Sequence, residues 1–382
     1  MPPTPEPVMG ALHLRSWALR TLCSAAPAAA PPEVSAAAWR LFLRVEQCAL
    51  ELSARAGGLL SGTAAEAVAG FARAESRMVL SARAQLRRLA GAAGSPGVRL
   101  VVLKGGVPLL RGGNGPRLMD LDVLGSAADA AALAAALDAA GYTHHGGPAA
   151  HRLAVRAVPG AIPVEIHTAV PGLSPVVWER VRPAADSPLL VLDPADHLRY
   201  VLLHSAVQHA DRRGRIRDLL VLAEGLQHAD DRSVREVEAA IAGEPQADVL
   251  ARQLEMARSV ASRIPCADPF ELTAAGSYLL YSELARRRLH GLRLELAWQS
   301  GIAAVARRTG TPAALGEHGL ALPSAFPPLA ALRRTAPWAE RAVRTLVRRG
   351  REWAFLPLGL SVAAAAERAV RERAASSSSL AV

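Results

Sequence analysis

Lysine is almost absent from the chain. Among its 382 residues and 44 basic side chains, Lys104 is the single lysine and the others are arginine. Lysine carries a compact charge on a flexible stem, whereas arginine carries a rigid planar fork. A site with room for only the compact charge would retain its lysine, so the surroundings of Lys104 are the first candidate for a functional site. The alternative is a chance survivor of a general drift towards arginine.

Cysteines, aromatic residues and long apolar runs are also scarce. Cys23, Cys48 and Cys266 stand at irregular spacing, which excludes a disulfide framework and a cysteine-based zinc site. Aromatic residues make up 4% of the chain, so we expect a core of small side chains carried mostly by helices. No apolar run approaches the roughly 18–20 residues of a membrane span, and the first residues lack the basic start of a signal peptide. We therefore expect a cytoplasmic protein with no membrane partner.

Positive charge, by contrast, is abundant. The formal net charge is +10, which favours acidic partners such as nucleotides or nucleic acid. The arginines are scattered, however, and no long basic tract with interleaved aromatic residues occurs. A nucleic-acid-binding protein is therefore the less favoured alternative.

Composition divides the chain into five segments. Residues 1–32, rich in proline and alanine, and the tail 376–382 are expected to be poorly ordered. Apolar positions at helical spacing predict helices over 33–94 and again over 176–375. The segment 95–175 alternates short apolar runs with an alanine-rich helix, which predicts a small mixed β-sheet. The expected architecture is α+β, with helical segments on both sides of the sheet.

Two aspartates mark the middle of the predicted sheet. In LMDLDVL, 118–124, Asp120 and Asp122 lie two apart on a strand and project from the same face. Carboxylates placed in this way repel each other unless a cation lies between them, and Mg²⁺ prefers such oxygen ligands. The alternative is an exposed edge strand whose acidic face is simply solvated.

Two neighbouring features favour the metal. The stretch LKGG leads from an apolar strand into a short helix, and Gly105 and Gly106 would let a phosphate approach backbone N–H groups there. A glycine pair on its own is more often only a turn. The strand IPVEIHTAV, 162–170, adds Glu165 with His167 on the same face. Three acids on neighbouring strands beside a glycine turn predict a two-metal site.

Together these motifs resemble the bacterial "uncharacterised nucleotidyltransferase" family, part of the DNA polymerase β-like nucleotidyltransferase superfamily. The matching positions are Leu-Lys-Gly at 103–105, an arginine at 117, Asp-Leu-Asp-Val-Leu at 120–124 and Val-Glu-Ile-His at 164–167. Arg117 stands one position closer to Asp120 than the commonest spacing, and Gly125 replaces the usual apolar residue. Further along, a helical segment resembles the family's paired histidines and later aspartate through His204, His209 and Asp218.

The resemblance implies a reaction and a set of site residues. A nucleoside monophosphate would pass from a nucleoside triphosphate such as ATP to an acceptor, which we expect to be a peptide, a protein or a small metabolite. Mg²⁺ or Mn²⁺ would be the cofactor. The implied catalytic and metal-binding residues are Asp120, Asp122 and Glu165. The implied nucleotide-binding residues are Lys104, Gly105, Gly106, Arg117 and His167. The alternative is a catalytically silent relative that binds a nucleotide or a partner protein in the same cleft.

The two histidines of the helical segment predict no joint role. His204 and His209 are five apart on a helix predicted over 195–210, which separates them by about 140° around the axis. They are therefore not expected to face one small ligand together, and His209 is expected to be structural.

Overall fold

A computed structural model describes most of the chain. The described residues are 6–25, 29–94, 98–113, 118–126, 130–145, 151–155, 161–170, 173, 176–209, 213–286 and 361–378. Within them, helices at both ends of the chain flank a small mixed β-sheet, so the predicted α+β class is confirmed.

In the part of the chain that the structure describes, four α-helices precede the sheet. They are α1 Glu6–Leu22, α2 Ala36–Glu46, α3 Ala49–Ala56 and α4 Gly62–Ala93. The Ser35 side chain caps α2 by accepting a hydrogen bond from the Ala38 N–H at 3.2 Å, and α2 ends at Gln47 in the left-handed conformation. Trp17 on α1 packs edge-on against Trp39 on α2, with ring centroids 5.9 Å apart.

The expectation that residues 1–32 are poorly ordered does not hold for α1. Proline and alanine on either side of Glu6–Leu22 dominate the composition, but the helix itself carries large apolar residues such as Leu12 and Trp17, which are buried. The tail also differs at its start, because a helix over 361–378 continues past residue 376.

The sheet and its connections occupy the centre of the chain. The strands are β1 Leu100–Val102, β2 Leu121–Gly125, β3 Thr143–His145, β4 His151–Val155, β5 Val164–His167, β6 Arg182–Pro183 and β7 Leu190–Val191. The helices among them are α5 Gly106–Leu110, α6 Ala130–Ala139 and α7 Val177–Arg180. The strand order is β3-β4-β5-β2-β1-β7-β6. β2 is central, because it pairs with β1 in the antiparallel sense and with β5 in the parallel sense.

The sheet extends beyond the predicted boundary at residue 175. β6 and β7 have two residues each, too few to show a strand periodicity, and β7 joins the sheet by parallel pairing with β1. The helical segment predicted over 176–375 therefore contains two strands of the sheet, which follow α7. The part of it between 287 and 360 lies outside the described residues.

Between the sheet and residue 287, the described residues form five further α-helices. They are α8 Pro194–Leu203, α9 Ile216–His228, α10 Asp231–Ala242, α11 Ala247–Ser262 and α12 Glu271–Arg286. α8 starts at Asp193, whose side chain accepts a hydrogen bond from the Ala195 N–H, and Pro194 fits the first helical turn. Among the described residues, no helix has both the length and the apolarity to cross a membrane.

The alternation of side chains along β2 decides which layer contains the aspartates. Leu121 and Val123 belong to the apolar cluster that includes residues of α4 and α6. Leu124 belongs to the opposite cluster, which includes Tyr200 of α8. Because side chains alternate between the two faces of a strand, Asp122 lies on the same face as Leu124. The acidic face of the sheet is therefore covered by α8 rather than by solvent.

Candidate active site

The centre of the site is the Asp122 carboxylate. Its Oδ1 atom lies 2.7 Å from Lys104 Nζ and 2.9 Å from His167 Nε2. The parallel register of β2 and β5 places Asp122 directly beside Glu165, and His167 Nε2 is 3.7 Å from Glu165 Oε2. Asp122 is only 5% exposed, so this charge is matched by neighbours rather than by water.

Three of these side chains could hold a metal ion. One ligand atom each from Asp122, Glu165 and His167 lies within 4.8 Å of the others. Two carboxylates with one imidazole suit Mg²⁺ or Mn²⁺, and the nitrogen favours the second of these. The sequence predicted three carboxylates as metal ligands. The group of three that the structure brings together contains His167 in place of Asp120.

Asp120 lies just before β2 and contributes its charge to the same cluster. Burial, together with the charges of Asp122 and Glu165, raises the pKa of Asp120 above its usual value. Asp122 behaves in the opposite way. Burial acts to raise the pKa of Asp122, but the charge of Lys104 and the hydrogen bond from His167 hold it well below its usual range. Two carboxyl groups with pKa values moved apart are typical of an active site.

Lys104 has a strained backbone. Its φ is +48°, in the left-handed region that a residue with a side chain seldom adopts. Burial acts to lower the pKa of Lys104, yet the adjacent Asp122 raises it above its usual value, so the ammonium stays charged. Local strain of this kind persists where surrounding contacts impose it, often at functional sites. The single lysine of the chain is therefore held at the acidic centre, and its predicted role in binding nucleotide stays a prediction.

The glycine turn after Lys104 has a packing role. A Cβ atom on Gly106 would lie 2.6 Å from Val102 Cγ1 and 2.9 Å from Leu121 Cδ1, so no side chain fits between β1 and β2 at this point. The Gly106 N–H donates to the Leu103 carbonyl at 3.1 Å. The phosphate-binding role predicted for Gly105 and Gly106 stays a prediction. Arg117, also predicted to bind nucleotide, lies outside the described residues.

Tyr200 is a site residue that sequence reasoning missed. It is 1% exposed, and its ring centroid lies 5.7 Å from Lys104 Nζ. Burial raises the pKa of Tyr200 well above its usual value, against the opposing charge of Lys104. The only sequence signal was a polar aromatic residue within an otherwise apolar helix face.

The prediction that His204 and His209 face apart is wrong. From His204 to Gln208 the chain forms a π-helical turn, closed by the His209 N–H bonding to the His204 carbonyl at 3.0 Å. A π-turn contains more residues than an α-turn, so residues five apart come onto one side. The two imidazole centroids are 4.5 Å apart, and the His204 ring is 5.9 Å from that of Tyr200. A row of three polar rings therefore leads away from Lys104.

The first turn of α9 supplies a second cation near the carboxylates. The charge of Arg217 acts to lower the pKa of Asp120, against the stronger effect of burial. Arg217 also contacts Asp218, the aspartate matched to the family, with Nε 3.3 Å from its Oδ1. Sequence reasoning missed Arg217 because 97 residues of chain separate it from Asp120.

Comparison with known proteins agrees with this geometry. A family model described as "Uncharacterised nucleotidyltransferase" matches residues 43–253, more than half of the chain. The chain belongs to this family. The matched region includes the glycine turn, β2, β5, α8 and α9, that is, every element that contributes a side chain to the site. No curated protein and no solved structure matches the chain. Membership of a nucleotidyltransferase family makes the protein a transferase and supports a role in nucleotidyl transfer.

Proposed function

We propose that this nucleotidyltransferase uses a divalent metal ion to transfer a nucleoside monophosphate from a nucleoside triphosphate to an acceptor. The proposal depends above all on the group formed by Asp122, Glu165 and His167, whose ligand atoms lie within 4.8 Å of one another beside Lys104. Mg²⁺ and Mn²⁺ both match these donor atoms.

Each residue of the site has a role in this scheme. Asp122, Glu165 and His167 would hold the ion, which when bound neutralises phosphate charge and orients the reacting phosphoryl group. Lys104 is a point charge next to the ligands, suited to a phosphate oxygen. Asp120 adds a further carboxylate beside them, which supports its predicted catalytic role.

The acceptor would approach from the side that β2 and β5 share with α8. On the resemblance, it is a peptide, a protein or a small metabolite. The row of Tyr200, His204 and His209 offers hydrogen-bonding groups along that side. This arrangement favours a polar acceptor over an apolar one.

The position of a radioactive label would test the proposed reaction. Protein incubated with Mg²⁺ or Mn²⁺, a cell extract fraction and each ribonucleoside triphosphate should attach label from the α-phosphate, but not from the γ-phosphate, to an acceptor. Asp122→Asn should abolish this labelling. Glu244→Gln, which removes a carboxylate that pairs with Arg199 instead, should not. Transfer of γ-label would contradict the proposal, and so would nucleotide binding without any transfer, the behaviour of a catalytically silent relative.

A further inference from the structure

Arg217 is fixed in place by the end of α2. The Ile216 N–H donates to Glu46 Oε2 at 2.8 Å, which holds the start of α9 against α2. Next to it, Arg217 Nη1 donates to Gln47 Oε1 at 2.9 Å, and Nε contacts Asp218 at 3.3 Å. The guanidinium group therefore has a defined position rather than a free side chain's range of rotamers.

The packing of α8 against α9 brings this position to the active site. A Cβ atom on Gly225 would lie 2.9 Å from Leu198 Cδ2, so the second half of α9 lies against the middle of α8. At the other end, Gln253 bridges the two helices, because it donates to Ser205 and accepts from the Gly214 N–H at 3.1 Å. The helices thus run antiparallel, and the first turn of α9 lies beside the last turns of α8. Those turns carry Tyr200, and His204 follows them directly.

The hydrogen bonds of Arg217 engage only part of its guanidinium group. Its Nε and Nη1 groups have partners, but Nη2 donates no hydrogen bond to any residue that the structure describes. Its side chain is only 15% exposed. The buried Arg15 differs, because Glu46, Asp268 and the Gly214 carbonyl engage all its nitrogens. A mostly buried guanidinium with an open donor, on the turn that lies beside Tyr200 and His204, is suited to a bound anion.

We propose that Arg217 binds the β- and γ-phosphates of the donor nucleotide, the part that departs as pyrophosphate. This inference rests on the proposed function. Lys104 pairs with Asp122 and therefore stays at the acidic centre. Arg217 contacts the outer phosphates instead. The planar fork matches two phosphate oxygens at once, which a lysine in the same place does not.

Isothermal titration would test the role of Arg217 without knowledge of the acceptor. The probes are the α,β-methylene triphosphates of the four ribonucleosides, whose α–β link resists transfer, and the four monophosphates, all with Mg²⁺. In Arg217→Met, the triphosphate that wild type binds should bind about tenfold or more weakly, since hydrogen bonds to charged groups are the strong ones. The matching monophosphate should change less than about twofold.

Two further variants separate binding from folding. Arg217→Lys keeps the charge but not the fork, and should show an intermediate loss for the triphosphate. Arg199→Met removes a partly exposed arginine on α8 that pairs with Glu244, and should bind both probes as wild type does. Mn²⁺ binding should be unchanged in Arg217→Met, because Arg217 is not a metal ligand.

The outcomes distinguish this inference from the proposed function. If wild type binds a triphosphate and Arg217→Met binds it equally well, the inference is wrong and the proposed function stands. Equal losses for triphosphate and monophosphate would also overturn the inference, since they would indicate a general change in the site. If wild type binds no nucleotide at all, the proposed function fails and the inference fails with it.

Discussion

Two buried groups of charges differ in how completely their charges are matched. The first joins α1, α2 and α12: Arg15 donates to Glu46 at 2.8 Å and to Asp268 at 2.7 Å, and the Tyr278 hydroxyl donates to the same Glu46. The second is the acidic site on β2 and β5, where Lys104 pairs with Asp122. Lys104 and Arg217 both act to lower the pKa of Asp120, but burial and the charges of Asp122 and Glu165 outweigh them.

A buried charge can have a structural or a functional role, and the two groups differ in whether the charges are balanced. In the first group every nitrogen of Arg15 has an acceptor, which is the arrangement that allows a charge to be buried. In the second, negative charge remains in excess, and the pKa of Asp120 is raised as a result. Unmatched like charges destabilise a fold, and proteins retain them where a ligand or an ion completes the balance.

The two groups are also connected. Glu46 accepts from both Arg15 and the Ile216 N–H, so the structural group holds the start of α9 and hence Arg217. The helices before the sheet therefore do more than pack against one another. They position one side of the active site.

The largest expected effect is on stability, from Arg15→Met. This change leaves Glu46 and Asp268 without their partner, and breaking a buried pair typically costs about 3–5 kcal/mol. Urea denaturation should show a loss of this size in the free energy of unfolding. Arg258→Met removes an exposed pair with Glu238 and should cost less than about 1 kcal/mol. Equal losses from both variants would break the comparison.

At the acidic site we expect a gain in stability rather than a loss, from Asp120→Asn. Labelling activity should fall more than about a hundredfold, since even the outer neighbours of a metal site are typically worth 10–100-fold. The metal-free protein should nevertheless melt at a higher temperature at neutral pH, because the raised pKa of Asp120 means that its ionised form destabilises the fold.

The pH dependence of the stability difference between wild type and Asp120→Asn tests whether the ionised Asp120 destabilises the fold. As the pH falls through the folded-state pKa of Asp120, wild type takes up a proton and loses its penalty, so the advantage of Asp120→Asn should shrink. Thermal unfolding over a pH series measures this gap. A variant that is less stable than wild type at neutral pH would show that the charges at this site are matched after all.

A packing change separates shape from charge in the same region. Gly106→Ala places a methyl group against Val102 and Leu121, and overpacking of this kind typically costs about 1–3 kcal/mol. The loss should appear in urea denaturation at any pH, unlike that of a titrating group. Gly70→Ala on α4, where a Cβ meets open space, is the control and should be neutral or stabilising. A neutral Gly106→Ala would show that the turn has room for a side chain.

The smallest effect is expected from Tyr200→Phe. The change removes a buried hydroxyl but keeps the ring, whose centroid lies 5.7 Å from Lys104 Nζ. Turnover should fall about tenfold, while the free energy of unfolding should change by about 1 kcal/mol or less. Steady-state labelling and urea denaturation measure the two quantities. Unchanged turnover would show that Tyr200 only packs beside the site and takes no part in the reaction.

The sequence predicted the parts of the site that depend on short spacings. Asp120 and Asp122 on one strand, Glu165 and His167 on another, and Lys104 before a glycine pair are all local patterns, and the structure brings these residues together. The spacing rule of the α-helix then misled the reasoning about His204 and His209, because nothing in a single sequence marks a π-turn.

The remaining parts depend on contacts between distant segments. Arg217 reaches the site because Glu46 and Gln47 hold the start of α9, and no local pattern relates residue 46 to residue 216. Similarly, β6 and β7 are too short for a periodicity and form only as additions to β1. Such features follow from tertiary packing, which composition and spacing do not encode one segment at a time.

Titration of Mn²⁺ by electron paramagnetic resonance would test the central claim most directly, because free Mn²⁺ loses its signal when bound. The account predicts that wild type, with a nucleoside triphosphate present, binds Mn²⁺ and that Asp122→Asn does not, while Glu244→Gln binds as wild type does. Binding that survives in Asp122→Asn, or no binding by wild type, would contradict the claim that the excess negative charge on β2 and β5 is there for a metal ion.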